Sequence, residues 1–71
     1  MMDVAARIAA VVRLLRERGV EGAVVRAAGH QSEIAAVEAP HETATVLAAL
    51  APEIKALGFR YVALELVPEE E

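Results

Sequence analysis

The sequence of 71 residues predicts a small α+β domain in the order helix, strand, strand, helix, strand. Three observations lead there. Apolar residues recur at spacings of three and four in two separate stretches. Valine-rich or aromatic runs lie between and after those stretches, and glycine or proline stands at nearly every junction.

The first helix is read from Asp3 to Arg18, where Val4, Ile8, Val11, Val12 and Leu15 form one apolar stripe. Asp3 suits the start and Gly19 the end. Alanines fill much of the rest, and their high helix propensity lets a narrow stripe suffice. Ala23 to Ala28, between Gly22 and Gly29, reads as the first strand, and Glu33 to Ala39 as the second, stopped by Pro40. The loop Gly29 to Ser32 is short enough for a hairpin, so these strands are expected to be antiparallel.

His41 to Leu57 carries the stripe Val46, Leu50, Ile54 and Leu57 and predicts a second helix. Pro52 lies inside it, so a kink or break is expected near Ala51, with Pro52 in the first turn of a second helical piece. Gly58 caps the helix, and Phe59 to Leu66 forms the last strand. Pro68 and the acidic residues to Glu71 close a single domain spanning 1–71.

The expected architecture is a two-layer sandwich with both helices on one face of a three-stranded sheet. Strand order 2-1-3, all antiparallel, gives a ferredoxin-like arrangement without its first strand. Order 1-2-3, with a parallel last pair, is the alternative.

Size and charge narrow the function classes. A chain this short buries only about 60% of the surface its unfolded form exposes. With no cysteine, it has neither disulfides nor thiolate-bound zinc to compensate. Idealised helices or self-association must do so. The net charge of −4 and the terminal glutamates argue against nucleic-acid binding. Arg13, Arg16 and Arg18 fall in the last turns of the first helix, where they complement its dipole. No signal peptide or membrane-length apolar run is read, so a cytoplasmic location is expected. Six arginines against one lysine, with no asparagine, hint at a heat-adapted or GC-rich source.

Strand alternation assigns the faces. Ala23, Val25, Ala27, Ala35, Val37, Val62, Leu64 and Leu66 should meet the helices, leaving Val24, Arg26, Ala28, Ile34, Ala36, Glu38, Tyr61, Ala63 and Glu65 on the open face. Only Arg26, Glu38 and Glu65 on that face are charged, where a one-sided sheet usually presents mostly polar residues. Val24, Ile34, Ala36, Tyr61 and Ala63 are therefore expected to form an interface, most simply between copies of the chain. A one-residue slip of the second strand would instead exchange Val37 for Glu38.

Arg26, Glu38 and Glu65 are the candidate ligand-binding residues, suited to an anion or nucleotide, with a surface ion-pair cluster as the plainer reading. No phosphate loop, dinucleotide fingerprint, nucleophile elbow or HExxH motif is present, and Ser32, the sole serine, has no base paired with it in sequence. His30, His41, Glu33, Glu38 and Glu42 are metal-ligating types near what would be one end of the sheet, but their spacing fits no ligand pattern. No metal, cofactor or enzymatic activity is expected.

The segment Ala56 to Leu66, ALGFRYVALEL, resembles the final strand of the C-terminal domain of the ATP-dependent sacrificial sulfur transferases. These are PP-loop enzymes that thiolate a nickel-pincer nucleotide precursor. Leu14 to His30 is similar to that domain's helix, glycine and strand, and Ser32 to Pro40 to the strand that follows. Within the resemblance, Arg26 matches the second arginine of an Arg-x-Arg motif, with Val24 at the first. Ala36 takes the place of a further arginine, Glu38 matches a glutamate, and Glu65 stands for an aspartate. The PP-loop motif and the sulfur-donating cysteine are not found in these residues. The resemblance therefore implies a non-catalytic assembly module, either homo-oligomeric or docking on a PP-loop ATPase-type partner.

Overall fold

The computed structural model describes residues 3–68, so Glu69 to Glu71 of the expected acidic tail lie outside the described residues. Its elements are α1 (Val4–Glu17), β1 (Val24–Ala28), β2 (Ile34–Pro40), a 3₁₀ turn (His41–Thr43), α2 (Ala44–Ala56) and β3 (Tyr61–Val67). The α-β-β-α-β order matches the sequence reading, with each strand displaced one or two residues from its expected bounds. Among the described residues no helix is long and apolar enough to cross a membrane.

Asp3 caps α1, its Oδ1 accepting from the Ala6 N–H at 2.8 Å. The helix ends in a Schellman turn: Val20 N–H donates to the Leu15 carbonyl and Gly19 N–H to that of Arg16. Gly19, at φ +85°, supplies the positive φ this turn needs. Val20 is thereby tucked into the core.

Two expectations for α2 are corrected. The helix runs unbroken through Pro52. Proline deprives the Ala48 carbonyl of its helical donor, but Ala48 and Pro52 lie on the exposed side, while Leu47, Leu50 and Ile54 anchor the opposite side. The buried stripe also starts at Leu47, whereas Val46 is 41% exposed.

The sheet order is β1-β2-β3, not 2-1-3. β1 and β2 pair antiparallel; β2 and β3 pair parallel, making the sheet mixed rather than antiparallel. As the central strand, β2 is the most buried of the three: Ala35, Val37 and Ala39 are buried on its inner face and Ala36 on its outer face. The ferredoxin-like comparison also fails, because there the missing strand would separate β2 from β3, and here the two are directly bonded.

Both helices cover one face of the sheet. Val11, Leu15, Val20, Leu47, Leu50, Ile54 and Phe59 enclose Ala35, Val37 and Ala39, with Ile8, Val25, Ala27, Val62 and Leu64 packed around them, whereas Leu66, expected to meet the helices as well, is 38% exposed beyond the core. Val37 is fully buried and Glu38 exposed, so β2 has not slipped.

Candidate interaction surface

Strand pairing arranges the uncovered face in rows across β1, β2 and β3. Ala28, Ile34 and Tyr61 form the first, Arg26, Ala36 and Ala63 the second, and Val24, Glu38 and Glu65 the third. Pro40 and Val67 continue it on the two longer strands. Every residue expected on this face is therefore brought together there. Pro40 and Val67 were missed; extending the Tyr61, Ala63, Glu65 alternation by one step would have found Val67.

Exposure varies sharply within the rows. Val24, Tyr61 and Val67 are 53%, 54% and 44% exposed, whereas Ala36 at the centre is only 5% exposed. Arg26 accounts for part of that difference. Its Nη2 donates to Glu65 Oε1 at 2.8 Å, so the side chain crosses from one edge strand to the other over β2. Glu38 lies beside Glu65 in register and has no ion-pair partner among the described residues. The cluster holds one cation and two carboxylates, and that cation is already bonded.

The metal-type residues do not converge. His30 lies in the β1–β2 loop and His41 just after β2, so the length of β2, about 20 Å, separates them. Among the described residues no group of three or more His, Asp or Glu could hold a metal ion.

A second polar cluster was not legible in sequence. Arg7 of α1 donates through Nη1 to the Gly58 carbonyl at 2.9 Å and the Ser32 carbonyl at 3.2 Å. Its guanidinium also lies 4.8 Å from the Phe59 ring centroid. Beside it, Glu33 Oε1 accepts from the Gln31 N–H at 2.8 Å. That bond and, after it, Glu33's own N–H hold the carboxyl below the usual glutamate range; the opposing effect of desolvation is smaller than either, and the charge of Arg60 adds the least. The two Arg7 bonds join both loops to α1, while the Glu33 bond shapes the hairpin loop itself.

On the helical side, an open groove of about 290 Å³ runs between α1 and α2, lined by Ala10, Arg13, Leu14, Glu17, Glu53 and Leu57. Arg18 and Glu53 tie the helices together through two hydrogen bonds of 2.9 and 2.7 Å. A smaller pocket of about 120 Å³ lies beside Leu15 and Val20. Neither includes a residue of the open sheet face.

No protein-family model matches the chain, and no curated protein matches it in sequence.

Proposed function

We propose that this chain is a non-catalytic assembly module that packs its open sheet face against another copy of itself or against a partner protein. The observation that carries this reading is the exposure of Val24, Tyr61 and Val67 on a face whose charged residues are only Arg26, Glu38 and Glu65. A solvated sheet face would alternate these positions with polar residues. The resemblance to the C-terminal domain of the sacrificial sulfur transferases supports the same reading and names a PP-loop ATPase-type protein as the kind of partner to try.

The alternative, an anion or nucleotide site at Arg26, has weaker support. Arg26 is bonded to Glu65, and Glu38 adds a second negative charge beside it. Anions would meet net repulsion there.

Sedimentation velocity over a concentration series tests the module. Tyr61→Asp and Val24→Asp should weaken association, while Val46→Asp, on α2, should leave it unchanged. A wild-type chain that stays monomeric at high concentration and does not bind a purified PP-loop partner would sink the proposal.

A further inference from the structure

We infer that the free edge of β3 is a second, separate interface, which pairs antiparallel with β3 of another copy about a two-fold axis at Leu64 and joins two sheets into one of six strands.

The first support is where apolar surface remains uncovered. Tyr61 and Val67 are exposed on the open face already described, but Leu66, on the opposite face of β3, is also 38% exposed, so apolar surface is left on both faces of this one strand. With order β1-β2-β3, β3 is an edge seven residues long. Edges of this kind are normally blunted by proline, lysine or an unpaired charge. Tyr61–Val67 holds no proline or lysine, and its one charge, Glu65, is paired with Arg26 of the opposite edge strand.

The second support is backbone direction. The Arg60 and Tyr61 N–H groups both donate to the Glu33 carbonyl, at 2.8 and 3.1 Å, and with Ile34 opposite Tyr61 in the parallel register it is Tyr61, Ala63, Glu65 and Val67 that turn their peptide groups toward β2. Val62, Leu64 and Leu66 turn theirs outward. A two-fold axis at Leu64 sets Val62 opposite Leu66 of the second copy and Leu64 opposite Leu64, all as hydrogen-bonded pairs. All three outward residues of each strand are then paired.

The third support is side-chain complementarity in that register. Tyr61 falls opposite Val67 of the second copy and Glu65 opposite Ala63, so no like charges stand directly opposite, and the two Glu65, diagonal neighbours across the axis, are each paired with Arg26 of their own copy. The other edge is worse suited. β1 has five residues centred on Arg26, and full self-pairing would set Arg26 against Arg26. Pairing β1 with β3 of another copy would be a heterologous contact, which satisfies both edges only if a ring closes and otherwise propagates a filament.

The two-fold arrangement predicts a cross-link at a stated position. The chain has no cysteine, so Tyr61→Cys and Val67→Cys can be purified singly, mixed and oxidised. Both positions are exposed, and the substitutions spare the core. The mixture should give a disulfide-linked dimer. Either variant alone should give little, since identical positions would lie about 20 Å apart, beyond disulfide reach. In the wild-type chain, the Val62, Leu64 and Leu66 amides should exchange about tenfold more slowly at a free-chain concentration near ten times Kd. A mixture that cross-links no better than its components, or outward amides whose exchange ignores concentration, would overturn the edge interface. Association that persists with those negative results, and is lost in Val24→Asp, would leave the open-face module standing.

Discussion

Arg7 Nη1 and the Gly58 carbonyl, 51 residues apart in sequence, meet at 2.9 Å and fasten the first turns of α1 to the loop that launches β3. The same nitrogen reaches the Ser32 carbonyl in the hairpin loop. Arg7→Ala is expected to lower stability by about 1–3 kcal/mol, through two lost charge-assisted bonds and the contact with Phe59. Urea denaturation measures this, and Arg7→Lys should recover only part of the loss, because an ammonium lacks the flat guanidinium face.

Gly58 adopts φ +117°, and a Cβ there would stand 2.7 Å from Arg7 Cδ. Gly58→Ala should destabilise by about 1–3 kcal/mol through backbone strain and displacement of Arg7. Combined with Arg7→Ala, the two losses should sum to less than their separate values, because the obstructing side chain is gone. Strict additivity would show that the residues act independently.

Leu47 and Val46 are adjacent in sequence and opposite in burial. Leu47→Ala should cost about 2–5 kcal/mol. Val46→Ala should stay within about 0.5 kcal/mol. Thermal melts of the pair distinguish the observed α2 stripe from the one beginning at Val46.

The Arg26–Glu65 pair has both side chains about half exposed. Arg26→Ala should therefore change monomer stability by no more than about 1 kcal/mol. A much larger loss in dilute denaturation experiments would mean that the pair braces the sheet.

Glu33 has its folded-state pKa lowered, chiefly by the Gln31 N–H. The stabilisation from this carboxylate is present above the pKa of the unfolded chain and is lost as pH falls through the lower folded value. Glu33→Gln should flatten that part of the acid limb in a pH series of unfolding midpoints. An unchanged limb would place the acid sensitivity elsewhere.

The sequence by itself determined the element order, the α1 caps and the inward or outward assignment of the strand residues. Those features rest on local periods and on residues such as Asp3 and Gly19 acting within a few positions of themselves. Even the open face with Val24, Ile34, Ala36, Tyr61 and Ala63 followed from alternation, since one residue of slip would have placed Glu38 in the core. Tertiary structure alone decided which strand is central. Either order satisfies the same alternation, because alternation fixes which face a side chain takes and says nothing of which strand lies beside it; the choice is made by backbone pairing of β2 to both neighbours. It also decided between Val46 and Leu47, which fit the helical period nearly equally until the position of α2 over the sheet is fixed. The Arg7 clamp and the bare edge of β3 belong to the same class, because both depend on groups that only the fold brings together or leaves unpaired.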